Sequence, residues 1–299
     1  MGAAWTAGSW VAGAWADGAW VEAGAFSLAC ASGSLTLSGT AVGIKAARKL
    51  ATASGGLSLA GSGVTLKVTR KLATASGSLA LSGTAVGLKA ARKLATASGT
   101  LTLSGTAVTL TKTGSFSLAT ASGSLSLNGT AVALKATRKL ATASGSVALS
   151  GTSVGLKVAR KLATASGALI LSGSDVGLTK VGSYDLACDS GALTLAGTAA
   201  GLRAARKLAT AAGSLTLTGT AVVLRPARKL AMASGAITLS GTAVSLRTGH
   251  ANTLEADSGS ITLSGTAVSF LRYAPRYRIG AGKKAKAVYY EEKVKSAAA

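Results

Sequence analysis

Residues 77–98 read GSLALSGTAVGLKAARKLATAS, and this stretch decides the fold. Leu79 and Leu81 are two positions apart, and so are Val86 and Leu88. Apolar residues at a spacing of two lie on one face of a β-strand. The Gly and Ser residues between these pairs are typical of turns. The stretch therefore predicts three short strands separated by three corners, with the third strand in the Lys-Leu-Ala-Thr segment.

Variants of this stretch recur along most of the chain. The three longer units have their basic segment replaced, as in 111–116 (TKTGSF) and 179–184 (TKVGSY), and they begin 68 residues apart. A repeat of this length indicates a stack of similar structural units, in which each unit buries its apolar side chains against the next. Units begin 22 or 24 residues apart, at Gly33, Gly55, Gly77, Gly99, Gly123, Gly145, Gly167, Gly191, Gly213, Gly235 and Gly259.

Three strands and three corners in about 22 residues correspond to one coil of a parallel β-helix, whose rungs are about 4.8 Å apart. We therefore expect an all-β fold, a repetitive β-solenoid of about eleven units that forms a rod on the order of 50 Å long. An antiparallel meander is the alternative, because hairpins across Ser98-Gly99 and Ser82-Gly83 would build a β-prism. Helical repeats are excluded, since Gly and β-branched residues interrupt every candidate helix.

Composition divides the chain into three parts. We expect 1–32 to be an N-terminal segment of Trp/Gly pentads, 33–270 to be the repetitive rod, and 271–299 to be a basic, Tyr-rich docking tail. The tryptophans either cap the first rung or anchor the chain to another protein, because exposed Trp is typical of interfaces; a membrane-interface belt is the third interpretation. They recur every five residues, at Trp5, Trp10, Trp15 and Trp20.

A basic corner is the main chemical signal of the repeat. Stacking would align its charges along one edge of the rod, as a stripe. The stripe is either a solvated edge that blocks lateral sheet growth or a surface that binds anions, such as nucleic acid, lipopolysaccharide or an acidic protein surface. Its Arg-Lys pairs are Arg48 and Lys49, Arg70 and Lys71, Arg92 and Lys93, Arg138 and Lys139, Arg160 and Lys161, Arg206 and Lys207, and Arg228 and Lys229.

The longer units that begin at Gly99 and Gly167 carry less charge at this corner, and each adds an aromatic residue, Phe116 or Tyr184. Burying three unpaired cations is costly, whereas burying one aromatic ring contributes about 1.5–3 kcal/mol. We therefore expect Phe116 and Tyr184 to contact another subunit or a neighbouring protein, while the basic bands between them stay hydrated or hold anions.

Composition also limits the chemistry. The chain has a formal net charge of +23 and holds one His, two Cys and nine acidic residues in 299. Such a small number of these groups argues against acid–base pairs and metal clusters. We therefore expect no enzyme activity, no catalytic residues, no cofactor and no metal site. No run of about 18 apolar residues is present, so we expect no membrane insertion.

The degenerate unit Leu-Ala-x-x-x-Gly-Ser-Leu-x-Leu-x-Gly-x-x-Ala/Val-x-Leu-x-x-x-Arg-x-Leu covers about residues 24–270 and resembles repeats in virion proteins of tailed bacteriophages. The pentads also resemble the N-terminal regions of some of these proteins. The resemblance implies a structural part of the virion, such as a tail fibre, spike or head decoration, which contacts other virion proteins and is commonly a homotrimer. A surface adhesin or anion-binding rod, with a polyanion or host-surface glycan as its partner, is the alternative function.

Overall fold

The fold is a β-solenoid, as the repeat predicts. The computed structural model describes residues 5–6, 20–23, 27–30, 32–46, 49–68, 70–90, 93–112, 117–136, 139–158, 161–180, 185–204, 207–226, 229–248 and 253–272. Within these ranges the regular structure is entirely β-strand, arranged in three parallel sheets of 12, 11 and 12 strands. The chain visits the three sheets in turn, so that one coil contributes one strand to each sheet.

Each sheet collects the same segment of every repeat. Sheet I holds the Lys-Leu-Ala-Thr segments: β1 (Trp5–Thr6), β3 (Ser27–Cys30), β6 (Lys49–Thr52), β9 (Lys71–Thr74), β12 (Lys93–Thr96), β15 (Ser117–Thr120), β18 (Lys139–Thr142), β21 (Lys161–Thr164), β24 (Asp185–Cys188), β27 (Lys207–Thr210), β30 (Lys229–Met232) and β33 (Thr253–Ala256). Sheet II holds the segments that follow the unit-opening glycines: β4 (Ser34–Ser38), β7 (Gly56–Ala60), β10 (Ser78–Ser82), β13 (Thr100–Ser104), β16 (Ser124–Asn128), β19 (Ser146–Ser150), β22 (Ala168–Ser172), β25 (Ala192–Ala196), β28 (Ser214–Thr218), β31 (Ala236–Ser240) and β34 (Ser260–Ser264). Sheet III holds the segments that lead to the basic corner: β2 (Trp20–Ala23), β5 (Ala41–Ala46), β8 (Gly63–Val68), β11 (Ala85–Ala90), β14 (Ala107–Lys112), β17 (Ala131–Ala136), β20 (Ser153–Val158), β23 (Asp175–Lys180), β26 (Ala199–Ala204), β29 (Ala221–Pro226), β32 (Ala243–Thr248) and β35 (Ala267–Arg272).

The register pairs each residue with its equivalent in the next repeat. Leu79 pairs with Leu101 in sheet II, and Val86 pairs with Val108 in sheet III. Every described strand pairing is parallel. The strands that flank the predicted hairpin corners, β12 and β13 at Ser98-Gly99 and β10 and β11 at Ser82-Gly83, lie in different sheets and do not pair with each other. The antiparallel β-prism alternative is therefore wrong, and the parallel solenoid is confirmed. The Ser-Gly corners carry the chain from one sheet to the next instead of folding it back on itself.

The core is a set of side-chain columns that run along the inside of the rod. One coil contributes Leu79 and Leu81 from sheet II, Val86 and Leu88 from sheet III, and Leu94 from sheet I, all buried. Fully burying one Leu or Val side chain contributes about 1.5–3 kcal/mol. Because the inward side of each strand faces equivalent residues of the rungs on either side, one coil cannot complete this core alone.

Two columns of glycine permit the close approach of the rungs. A Cβ placed on Gly105 would overlap the carbonyl oxygen of Gly83, one rung away, and a Cβ on Gly99 would overlap that of Gly77. The backbone of these glycines does not lie in the left-handed region, although such freedom is the usual reason for glycine at a turn. The corners therefore require glycine because the stacked backbones leave no room for a side chain.

The longer units keep the same register. Thr111 pairs with Lys89 before it and with Lys135 after it, and Leu118 pairs with Leu94 and Leu140. Since the strands on both sides of the basic corner stay aligned, the two extra residues fall in the corner 113–116, outside the described residues. The length variation of the repeat is thus confined to one edge of the rod.

The described strands extend past the predicted rod on both sides. In the predicted N-terminal segment 1–32, β1 pairs Trp5 with Leu28, and β2 pairs Trp20 with Gly43. At the other end, β35 continues to Arg272, whereas 273–299, most of the predicted docking tail, lies outside the described residues. Part of the pentad segment therefore continues sheets I and III.

Candidate functional site

Two columns of basic residues flank the corner between sheets III and I. The alternation that points Val86 and Leu88 inward leaves Lys89 on the outer face of β11, and the same alternation places Lys93 on the outer face of β12. In register, Lys67 lies between Lys45 and Lys89. We call these two sets the sheet III column and the sheet I column.

The sheet I column is built in the same way, from the first residue of the Lys-Leu-Ala-Thr segment. Lys71 lies between Lys49 and Lys93 in the register. All three are exposed, and so is Arg70 in the corner between the columns. Since neighbouring strands of a sheet are about 4.8 Å apart, each column is a row of cations at that spacing along the rod.

The longer units that begin at Gly99 and Gly167 interrupt both columns. Thr111 takes the lysine position in the sheet III column, and Ser117 takes it in the sheet I column, where Lys139 is its partner. At the next long unit Thr179 and Asp185 take these two positions. The register therefore divides the basic edge into a three-rung run at Lys45 to Lys93, a two-rung run at 135–161, and a third run that begins at Arg203. The predicted alternation of basic and less charged bands is present in the register.

Small residues lie beside both columns on the outer faces of the sheets. Thr65 and Gly87 precede Lys67 and Lys89 of the sheet III column by two positions, and Ala73 and Ala95 follow Lys71 and Lys93 of the sheet I column by two. Small side chains therefore line the outer surface beside these four lysines. Gly43, the equivalent position one rung earlier, is buried and pairs with Trp20.

The Arg-Lys pairs predicted as the stripe are only partly placed by the structure. The described residues include exposed Arg70 and the exposed lysines Lys49, Lys71, Lys93, Lys139 and Lys161, while Lys207 and Lys229 begin β27 and β30. The remaining arginines of the prediction lie outside the described residues: Arg48, Arg92, Arg138, Arg160, Arg206 and Arg228.

The predicted stripe consists of the Arg-Lys pairs and omits the sheet III column, although a basic residue precedes the Arg of every pair by three positions. The members of the sheet III column include Lys67, Lys89, Lys135 and Lys157, which are all exposed. The signal that identifies them is the period of two, since a residue that follows an inward Leu faces outward.

The aromatic positions are not tested by the structure. Phe116 and Tyr184, the predicted contacts with another subunit, lie outside the described residues, as do Trp10 and Trp15. Trp5 and Trp20 lie in β1 and β2. The interpretation of the tryptophans as an anchor therefore stays a prediction.

Among the described residues, a column of threonines lies in the interior. Thr52, Thr74 and Thr96 stack on the inner face of sheet I, and their Oγ1 atoms are buried without a hydrogen-bond partner in the protein. Equivalent hydroxyls on adjacent rungs are about 4.8 Å apart, which is too far for a direct O–H···O bond. Cys188 takes the threonine position one rung after Thr164 and is fully buried. Burial raises the pKa of the Cys188 thiol, and the nearby Asp189 carboxylate acts in the same direction.

The part of the chain that the structure describes has no group of three or more His, Cys, Asp or Glu side chains placed to hold a metal ion. Among those same residues, no helix is long and apolar enough to cross a membrane. The basic edge is the feature of the described surface with the strongest chemical character.

No protein-family model, curated protein or solved structure matches the chain.

Proposed function

We propose that the chain is a non-enzymatic structural rod of a tailed-bacteriophage virion, either a tail fibre, a spike or a head decoration. In this proposal the rod docks through its ends to other virion proteins. We also propose that it assembles as a homo-oligomer, with a trimer favoured.

The observation that carries the proposal is the regular stack itself. The three sheets have 12, 11 and 12 strands, and neighbouring strands are about 4.8 Å apart. Each sequence repeat therefore adds about 4.8 Å to the rod, which reaches a length on the order of 50 Å. The outer faces carry mainly Ser, Thr, Ala and Gly, as on β10, β13 and β16. A long, uniform rod of this kind is suited to spanning and displaying, which is what the resemblance of the repeat to virion proteins implies.

Immunogold electron microscopy tests this proposal. Antibodies raised against the recombinant chain should label particles purified from the source culture, and mass spectrometry of the same particles should detect the chain in a fixed ratio to the major capsid protein. Antibodies against an abundant host cytoplasmic protein serve as the control for contamination. Label on the cell surface with none on particles would favour the surface adhesin and would overturn the proposal.

Sedimentation equilibrium tests the oligomeric part separately. The recombinant chain has a mass of 28.9 kDa, so a trimer is readily distinguished from a monomer. A monomer at every concentration would contradict the trimer and would leave the particle assignment to be decided by the labelling.

A further inference from the structure

Asn128 is the exception in one outward column of sheet II. In every other repeat the residue before the corner glycine is Ser, Thr or Ala, as at Ser104 and Ser150, the register partners of Asn128. Asn128 is followed directly by Gly129, and the chain contains one other Asn, Asn252, and no Gln. Asn128 therefore supplies the one side-chain amide among the residues that the structure describes.

Hydrogen bonds hold both Asn128 and the peptide group that follows it. The Ser150 hydroxyl donates to Oδ1 of Asn128 (2.6 Å), and Nδ2 of Asn128 donates to Oγ of Ser126 (3.1 Å). The Gly129 N–H donates to the carbonyl oxygen of Ser150 (3.0 Å). Both bonds to Ser150 join two rungs, so they exist only while β16 and β19 are stacked.

Gly129 lies in one of the closely packed glycine columns. A Cβ on Gly129 would overlap the carbonyl oxygen of Gly105, and a Cβ on Gly151 would overlap that of Gly129. The corner therefore has no space for an additional backbone atom on either side. An extra methylene in the main chain at residue 128 would displace Gly129 from this column and prevent normal stacking.

We propose that Asn128 is a modification site, at which opening of the corner leads to irreversible deamidation to isoaspartate. In the open corner the Gly129 amide nitrogen loses its proton and attacks Cγ of Asn128. A new C–N bond closes a cyclic succinimide, and the side-chain NH₂ group leaves with a proton as ammonia. Water then adds to one of the two ring carbonyls, its C–N bond breaks, and the nitrogen regains a proton.

The two products differ in their main chain. Hydrolysis at Cγ gives aspartate with the original backbone. Hydrolysis at the other carbonyl gives isoaspartate, whose main chain runs through Cβ and Cγ of residue 128 and is one methylene longer. Because the corner at Gly129 cannot accommodate that methylene, the rung that has opened cannot stack again as before.

In the stacked corner the reaction is blocked at both reacting atoms. The Gly129 N–H is bonded to the Ser150 carbonyl oxygen, and the Ser150 hydroxyl holds the Asn128 amide on the outer face of the sheet. In an unfolded chain glycine favours the reaction, since no side chain obstructs its nitrogen. The rate of deamidation therefore depends on how often β16 and β19 separate locally. This inference goes beyond the proposed function and does not depend on what the rod is attached to.

Mass spectrometry of the tryptic peptide 113–135, in which Asn128 is the one amide residue, follows the reaction in the full-length chain. The folded chain should deamidate about ten- to a hundredfold more slowly than the chain in guanidinium chloride, because two hydrogen bonds must first break. Ser150→Ala should raise the folded rate about two- to tenfold, since it removes one of these bonds.

Ser172→Ala is the matched control, because Ser172 occupies the equivalent position one rung later. It should leave the folded rate unchanged. In guanidinium chloride the unaltered chain and both variants should react at the same rate, since neither serine is near Asn128 in the sequence. Circular dichroism checks that both variants keep the strand signal.

Refolding tests the irreversible step. After incubation in guanidinium chloride, the isoaspartate form, detected with an isoaspartyl methyltransferase, should either fail to refold or unfold at a lower denaturant concentration than the unaltered chain. Asn128→Ser, which has no amide, should refold fully after the same incubation. Asn128→Asp, which has the charge of the product without the extra methylene, should also refold. Equal rates in the folded and unfolded chains, equal folded rates in Ser150→Ala and Ser172→Ala, or normal stability of the isoaspartate form would each overturn the proposal.

Discussion

Gly105→Ala should destabilise the rod because two stacked corners cannot accommodate a methyl group. The new Cβ would overlap the carbonyl oxygen of Gly83 and lie 3.1 Å from Cγ2 of Val86. The overlap is relieved only if the two rungs move apart. This movement lengthens two hydrogen bonds, from the Gly83 N–H to the Ser104 carbonyl oxygen (3.0 Å) and from the Ala107 N–H to the Thr84 carbonyl oxygen (2.9 Å). Overpacking by one methyl costs about 1–3 kcal/mol, and weakening two hydrogen bonds adds about 1 kcal/mol. We expect the free energy of unfolding to fall by about 2–4 kcal/mol.

Gly155→Ala is the matched control. No atom lies within 4 Å of a Cβ built on Gly155, which occupies an outward position of β20. Alanine within a strand is more favourable than glycine by about 0.5–1 kcal/mol, so this variant should be slightly more stable than the unaltered chain. Urea unfolding followed by circular dichroism at the strand band measures both. If Gly105→Ala and Gly155→Ala had the same midpoint, the close approach of the corners would be wrong.

Four further predictions follow from the interior column and from the ends. Thr96→Val removes a buried hydroxyl that has no hydrogen-bond partner, so it should raise the free energy of unfolding by about 1 kcal/mol, whereas Thr84→Val at an exposed corner should change it by less than about 0.5 kcal/mol; equal effects in urea unfolding would contradict the burial argument. In a Cys30→Thr background, the Cys188 thiol should be unreactive towards Ellman's reagent at pH 8 until the chain is unfolded, and reaction in the folded state would show that the column is open. Because the pKa of Cys188 is raised in the folded state from an ordinary value of 9.0, the free energy of unfolding relative to Cys188→Thr should be constant well below pH 9 and should fall as the pH rises through and above it; a relative stability that rises with pH in that range would contradict the sign. Replacing Trp5, Trp10, Trp15 and Trp20 by Ala should retain the strand signal and abolish docking, whereas loss of the signal would show that these residues cap the stack.

The sequence is sufficient for the fold because one pattern is repeated. A spacing of two within each segment predicts the inward columns, and a spacing of 22 or 24 between segments predicts which residues stack, as in the pairing of Leu79 with Leu101. The choice between coil and hairpins is harder, since Ser-Gly corners suit both. The glycine columns distinguish the coil from the hairpins, because only stacked parallel corners bring Gly105 against Gly83.

The candidate site was predicted less completely. The Arg-Lys pairs are evident as adjacent charges, whereas each residue of the sheet III column is separated from its pair by two uncharged residues and belongs to the preceding strand. Recognising Lys67 and Lys89 as a row requires both the outward direction of each side chain and the register between rungs. The roles of Phe116 and Tyr184 depend on a partner surface, and the sequence of one chain carries no information on that surface.

Spin-label distance measurements test the stacked parallel register most directly. Cysteines are placed at Ser58, Thr194 and Thr238, which occupy the same outward column of sheet II, in a background where Cys30 and Cys188 are replaced by Thr. Ser58 and Thr194 are six rungs apart and Ser58 and Thr238 are eight, so double electron–electron resonance should give distances of roughly 29 and 38 Å. An increment near 10 Å between the two pairs is the result that a rod of parallel rungs predicts. Equal distances for the two pairs, or a shorter distance to Thr238, would contradict the solenoid.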